Sequence, residues 1–385
     1  MEMKNYLNER VYGVSRSPIR EFAALAQSVE GCLSMTLGEP DFDTPQVINE
    51  QVDIALQNHE THYIHNTGAL SLRKKIAEFE KERYGMDYNE NEVIITTGAT
   101  EAIYTAFYGI LNPGDEVIIF TPAFLLYEEV VKLCGGKPVL MNTTEDDFQI
   151  NADKLNALIT DKTKAIIINT PNNPTGCILS KESLDNIYNA VKDKPIFVIC
   201  DDVYRQLIYV EEYHSFMEYR DLREQLILVQ SFSKPYAMTG WRMGYLMADA
   251  SIKERLELVH QYLITSTPAP FQRACEAALD FDPIVFTKVY QKRRDYLLDR
   301  LDKMGIEVTK PEGAFYVFPS IKEFNMTSSD FCTRLIYEAK LAVTPGFCFG
   351  SDTNFRISYC CSDYVLEEGM NRLEAFVNKL REEMK

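Results

Sequence analysis

The sequence predicts an α/β protein: a mostly parallel central sheet flanked by helices, joined to a smaller α+β domain. Three observations carry that expectation. Between residues 93 and 230, five short runs rich in Ile and Val are apolar on both faces, as strands of a sheet covered on both sides must be. Amphipathic stretches of helical period lie between several of them, the alternation that builds parallel sheets. From about Phe281 the texture changes to long helices and short strands.

The expected strands are 93–97 (VIITT), 116–120 (EVIIF), 164–169 (KAIIIN), 196–200 (IFVIC) and 226–230 (LILVQ). A helix is expected over 99–111, stopped by Asn112-Pro113-Gly114, and another over 180–191. Further on, a helix over 281–303, short strands at 314–318 and 355–359, and two more helices make the smaller domain. The last of these carries Leu366, Met370, Leu373, Val377 and Leu380 at spacings of four and three, a single apolar stripe. The expected division is 1–45 as an N-terminal arm packing on the small domain, 46–280 as the large domain, and 281–385 as the small one.

Composition bounds the function. The chain has 385 residues, of which 46% are apolar and 25% charged, and this excludes a disordered chain, a collagen-like fibre or a disulfide-stapled miniature. Basic residues number 40 against 57 acidic, a net charge of −17, so neither nucleic acid nor a membrane surface is an expected partner. A local basic pocket can still hold a small anion. The nine cysteines show no C-x-x-C pair, and Cys360 and Cys361 are adjacent, which points to reduced thiols in a cytoplasmic protein. The opening MEMKNYLNER has no apolar signal core, and no run of about 18 apolar residues is present. His59, His62 and His65 stand three apart, but no cysteine or carboxylate pattern completes a metal site, and none is expected.

In an open parallel sheet, ligands sit beyond the carboxyl ends of the strands, so the polar residues there carry the information. LILVQ runs into Ser231-Phe232-Ser233-Lys234, with Arg242 eight residues after the lysine. A lysine desolvated past a buried strand becomes a competent Schiff-base nucleophile, and the hydroxyls and arginine suit a phosphate. IFVIC runs into Asp201-Asp202-Val203-Tyr204, a carboxylate for a cationic ring nitrogen and a phenol for a ring oxygen, although an N-cap and a core tyrosine would look alike. KAIIIN runs into Thr170-Pro171-Asn172-Asn173-Pro174-Thr175-Gly176, an irregular loop in which Asn173 can donate to a ring oxygen or a carboxylate. VIITT runs into Gly98-Ala99-Thr100 and opens a helix, whose bare amides attract phosphate. Arg356 lies inside the apolar run Asn354-Phe355-Arg356-Ile357-Ser358-Tyr359, where it needs an anion; a bound carboxylate or a structural salt bridge would serve.

Together these segments resemble the class I and II aminotransferases, pyridoxal-phosphate enzymes of fold type I. The likeness runs from Leu37-Gly38-Glu39-Pro40-Asp41-Phe42-Asp43-Thr44-Pro45 to the Arg356 strand. Ser17-Pro18-Ile19-Arg20-Glu21-Phe22 and the run from Lys310 to Pro319 resemble most the bacterial aromatic, aspartate and N-acetyl-diaminopimelate branch. The resemblance implies pyridoxal 5'-phosphate held covalently by Lys234, which also shuttles the proton. It implies Asp201 on the pyridinium nitrogen, Tyr204 and Asn173 on the ring oxygen, and Phe124 stacked on the ring. Phosphate falls to Ser231, Ser233, Arg242 and the amides of Ala99 and Thr100. Arg356, with Asn173 and the Gly38 amide, takes the substrate α-carboxylate, and Ile19 lies near the pocket mouth. Tyr63 reaches the phosphate of a neighbouring subunit, so a homodimer with shared sites is implied.

Some relatives that prefer acidic substrates carry a lysine where Thr100 stands. The expected activity is therefore transfer of an amino group from an aromatic or long-chain L-amino acid to a 2-oxo acid, with 2-oxoglutarate the usual acceptor. A C–S β-lyase of the same fold would use the same lysine and aspartate, but it needs no acceptor for turnover. A non-catalytic regulatory protein that binds pyridoxal phosphate is the alternative of another class; in this superfamily such proteins usually carry a fused DNA-binding domain, and the acidic chain shows none.

Overall fold

The computed structural model describes residues 3–385. Twelve strands are numbered in chain order: β1 Leu33–Ser34, β2 Val93–Thr96, β3 Glu116–Thr121, β4 Lys137–Asn142, β5 Thr163–Asn169 and β6 Phe197–Asp201, then β7 Leu226–Ser231, β8 Gly244–Ala248, β9 Tyr316–Val317, β10 Leu341–Ala342, β11 Thr344–Pro345 and β12 Phe355–Ser358. Seven of them form one sheet in the order β2-β8-β7-β6-β5-β3-β4. Only β8 runs against its neighbours, β2 and β7; the remaining pairs are parallel.

Period-two alternation sorts each strand between two cores. Ile166 and Ile168, Val198 and Cys200, and Leu226 and Leu228 join the cluster on one face. Ala165 and Ile167, Ile199, and Ile227 and Val229 join the cluster on the other. Both sets are buried, which is why the runs show no polar face. The helices Gly98–Ile110 and Lys181–Val191 cover the sheet close to the expected limits.

A third core gathers the C-terminal part. The helix Asp363–Glu383 buries the expected stripe of Leu366, Met370, Leu373, Val377 and Leu380 there. Its partners include Leu297 and Leu301 of the helix Ile284–Lys303 and Phe331 of the helix Ser328–Ala339. The helical stretch expected over 281–303 begins three residues later, behind Pro283, and another helix, Ala269–Asp280, precedes it. The three-stranded sheet β11-β12-β9 sets Arg356 opposite Thr344 and Ser358 opposite Tyr316.

The N-terminal segment divides. β1 pairs in parallel with β10, and the Ser358 amide donates to the Met35 carbonyl at 2.9 Å, so residues 33–36 belong with the C-terminal core. Further upstream, the Ser15 amide donates to Glu129 at 3.1 Å, placing that stretch against the helix Leu126–Leu133 of the large sheet.

Candidate active site

The carboxyl ends of β2, β5, β6 and β7 open onto one cleft of about 660 Å³, lined also by residues of the C-terminal core. Of the site residues expected from sequence, all but Tyr63 line it.

Lys234 stands three residues past β7. The Ser233 amide donates to Ser231 Oγ at 3.0 Å, which bends the chain out of the strand, and Lys234 Nζ donates to the Gly38 carbonyl at 2.6 Å. Burial pushes the amine down to about 8; Cys360 and Glu39 oppose the shift, while the Arg356 and Arg242 cations add to it. An amine poised there is nucleophilic near neutral pH and can also serve as a base.

The two consecutive aspartates at the end of β6 part company. Asp201 Oδ2 accepts from the Tyr127 hydroxyl at 2.5 Å, while Oδ1 is buried without any partner. Burial pushes its carboxyl up to about 7, with the Tyr127 hydrogen bond opposing and the Asp202 charge adding to the shift. Asp202 is absent from the cleft. It accepts from Ser215 Oγ at 2.9 Å and belongs to a buried cluster with Arg205 and Glu80. An unpaired carboxylate oxygen facing a cleft fits a cationic ring nitrogen, the partner it lacks in the protein.

The amino end of the helix Gly98–Ile110 meets Arg242. Gly98 has φ +73°, and a Cβ there would stand 2.6 Å from Arg242 Nη2, so only glycine admits the guanidinium. Arg242 is itself held at φ +55° and donates to the Thr239 carbonyl at 3.0 Å. Ser231, Ser233, Ala99 and Thr100 complete a cradle of donors shaped for phosphate.

Arg356 is 3% exposed, yet no carboxylate pairs with it among the described residues. It donates to Asn173 Oδ1 at 2.8 Å and to the Thr36 carbonyl at 2.5 Å, and its Nε has no partner. The structural salt bridge is thereby excluded among the described residues, and a buried cation remains open to an anion from outside. Its guanidinium stacks over Tyr316 and Phe349, at 4.6 and 4.8 Å from the ring centres. Asn173 is fixed by its amide donating to Asn169 Oδ1 at 2.8 Å. Tyr204 and Tyr316 share a hydroxyl contact at 2.8 Å, and a Cβ on Gly38 would stand 1.8 Å from the Tyr316 oxygen.

Tyr127 and Tyr316 are cleft residues that sequence reasoning missed. Tyr127 follows Phe124 by one helical turn and meets it edge-on, a spacing that was available as a signal. Tyr316 sits in an ordinary apolar strand, and only tertiary packing brings it across. Tyr63 is 88% exposed and lies outside the cleft. Among the described residues no group of three or more His, Cys, Asp or Glu side chains is brought together.

The amine, the unpaired carboxylate and the phosphate cradle fit pyridoxal phosphate. The family model described as aminotransferase class I and II matches residues 30–373. The chain belongs to this family. Class I and II aminotransferases use pyridoxal 5'-phosphate and act on amino acids and 2-oxo acids. The chain is 40% identical to a probable N-acetyl-LL-diaminopimelate aminotransferase of Bacillus subtilis, over 99% of its own length and 98% of the relative's. It is 38% identical to aromatic-amino-acid aminotransferase 2 of Thermococcus litoralis, over 96% and 97%. The crystal structure of an aspartate aminotransferase from Thermotoga maritima superposes with a TM-score of 0.93 at 33% identity, covering 97% of this chain and 100% of that one. The chain is an aminotransferase of fold type I. None of its helices, among the described residues, is long and apolar enough to cross a membrane.

Proposed function

We propose that this aminotransferase moves the amino group of an aromatic or long-chain L-amino acid to 2-oxoglutarate, as a cytoplasmic homodimer. The observation that carries the reading is the meeting, in one cleft, of Lys234 Nζ, the free Asp201 Oδ1 and an Arg356 without a carboxylate partner. Bound pyridoxal phosphate supplies the electron sink that stabilises negative charge at the substrate Cα. Asp201 holds the proton of the ring nitrogen in place by its charge. Lys234 removes the Cα proton and returns it on the other side of the transfer. Arg356 grips the α-carboxylate bidentately and so orients the Cα–H bond. Asn173, whose Oδ1 is taken by Arg356, has Nδ2 left to donate to the ring oxygen together with Tyr204. Phe124 would pack against the cofactor ring, and Ser231, Ser233, Arg242 and the Ala99 and Thr100 amides would hold its phosphate. The Gly38 loop closes the carboxylate site. The division into 1–45, 46–280 and 281–385 separates the arm, the cofactor-binding body and the part that carries Arg356.

The donor preference rests on the wall of the cleft. Ile19 packs with Phe124, Phe318 and Phe349, and Leu37, Ile103 and Leu126 line the same space. An unpaired distal carboxylate set against such a wall loses a few kcal/mol of hydration, by the usual cost of about 1–3 kcal/mol and more for charge. Half-reaction rates for phenylalanine, tyrosine and aspartate, followed by cofactor absorbance, test this. The aromatic donors are expected to lead in kcat/KM, and a tenfold lead for aspartate would overturn the preference.

A further inference from the structure

A buried titratable pair that the mechanism does not use stands behind the phosphate cradle. His260, on the helix Ala250–Ile264, is fully buried, and its Nδ1 lies 2.8 Å from Glu101 Oε1. Its Nε2 lies 2.7 Å from the Asn66 carbonyl. A carbonyl oxygen only accepts, so Nε2 carries a proton, and the contact between Nδ1 and the carboxylate then needs a second one. The ring and Glu101 thus make an imidazolium–carboxylate pair. Burial by itself pushes the imidazole down, but the hydrogen bond and charge of Glu101, the Asn66 carbonyl and the Glu257 charge outweigh it and hold it above its ordinary value.

Glu101 sits where a bare negative charge is costly. It belongs to the first turn of the helix Gly98–Ile110. The Ala99 and Thr100 amides of that turn hold the phosphate under the proposed function, on which this inference rests. Glu101 Oε2 accepts from the Thr97 amide at 2.6 Å and Oε1 from the Thr105 hydroxyl at 3.2 Å, so the carboxylate braces the turn from within. An anion in a first turn favours the helix itself, but it also cancels the positive end that attracts a second anion. The carboxylate of Glu257 accepts from Lys253 at 2.6 Å and from Asn66 at 2.8 Å, and so has its own cation. Among the described residues, the cation paired with Glu101 is His260.

We propose that His260 is a positioning residue for the cofactor phosphate: its charge neutralises Glu101, so that the carboxylate braces the first turn of the helix Gly98–Ile110 without repelling the phosphate held at its amides. The Asn66 carbonyl fixes the ring from the other side and keeps Nδ1 on the carboxylate. His260 touches neither cofactor nor substrate; it acts through Glu101.

The test titrates the full chain, freed of cofactor, with pyridoxamine 5'-phosphate and with pyridoxamine, two ligands that form no Schiff base with Lys234. The single tryptophan, Trp241, precedes Arg242 and reports binding by its fluorescence. His260→Asn keeps a donor at the place of Nδ1, and His260→Gln keeps one near Nε2; neither carries charge. Both variants are expected to bind pyridoxamine 5'-phosphate about tenfold more weakly, with pyridoxamine changed less than about twofold, because only the phosphate meets the uncovered charge. Removing that charge as well, in the double variant Glu101→Gln with His260→Asn, should bring the phosphorylated ligand back to within about threefold of wild type. Wild-type affinity in either uncharged variant, equal weakening of both ligands, or no recovery in the double variant overturns the assignment. A wild type that binds the two ligands alike refutes the phosphate cradle itself, and with it the role of His260; a preference for the phosphorylated ligand that survives every substitution refutes His260 alone.

Discussion

Two adjacent carboxylates at the end of β6 differ in place: each keeps one buried oxygen without a partner, but Asp201 lines the cleft, whereas Asp202 is turned into a cluster with Ser215 and Arg205. Asp201→Ala removes one member of a buried pair, at a cost of about 3–5 kcal/mol. At about 1.4 kcal/mol per decade, the proton-transfer step should slow by about two decades or more. Asp202→Ala should lose stability more than rate, and the reverse order would show that the wrong carboxylate has been assigned. The pH dependence follows from the same burial. In the cofactor-free protein the Asp201 carboxyl is pushed up to about 7, so between about pH 4 and 7 the folded state keeps a proton that the unfolded chain releases. Stability therefore falls as pH rises through that window. Asp201→Asn should flatten part of the fall in urea midpoints measured at pH 5 and 7.5; Asp202, also raised, keeps the remainder. Lys234→Ala should retain cofactor through the phosphate cradle but lose transamination by about three decades or more, since nucleophile and base are removed together. Borohydride reduction and peptide mass mapping should place pyridoxal phosphate on Lys234 in the wild type; a label on any other lysine would refute the assignment.

At the scale of elements, the sequence displayed what was buried on two faces and concealed what was not. The five double-faced runs stand within a residue or two of their expected limits, because both sides of each strand meet a core. β4 escaped notice since it is an edge strand that contains Pro138 and leaves Lys137, Leu140 and Asn142 exposed, so its burial does not alternate. β8 is fully buried, but it is five residues long and begins two residues behind Arg242, and nothing local shows that it runs antiparallel. The cleft-lining residues were legible where they follow a strand; Tyr127 and Tyr316 were not, because their places depend on contacts across the fold. The loop between β1 and the helix Gln46–Gln57 shows another such dependence. Arg293, on the helix Ile284–Lys303, grips both oxygens of Asp41 at 2.8 and 2.9 Å and reaches Asp363 at 2.9 Å. Three residues on, Thr44 Oγ1 donates to the Ala237 carbonyl at 2.6 Å, beside the Lys234 segment. The loop that carries Gly38 is therefore held at two points in its C-terminal half. Arg293→Gln should lower stability by about 1–3 kcal/mol and raise KM for the amino acid with a smaller change in kcat. A loss of stability with unchanged KM would make Arg293 a structural anchor only.

At the scale of the whole molecule, the exposed Tyr63 is the expected site residue that lies outside the cleft. Its loop is fastened to the helix Ala250–Ile264: Asn66 Nδ2 donates to Glu257 at 2.8 Å, and His260 Nε2 meets the Asn66 carbonyl at 2.7 Å. That helix exposes Tyr262 at 85%, with Leu258 and Leu263 nearly half exposed. Large apolar side chains shown to water next to a rigidly held aromatic loop are what an interface between two copies presents. In such a dimer each site draws Lys234 from one chain and Tyr63 from the other. Complementation tests this arrangement directly. Tyr63→Ala and Lys234→Ala should each form dimers of low activity. When the two are unfolded together and refolded as an equal mixture, about half of the dimers are hybrids, by random pairing of two-fold partners. Each hybrid has one site with both residues replaced and one site with both intact. The mixture should therefore regain about a quarter of wild-type activity, while either variant refolded alone stays at its own low level. Activity of the mixture no higher than the average of the two variants would place Tyr63 and Lys234 in the same chain's site, or Tyr63 in none.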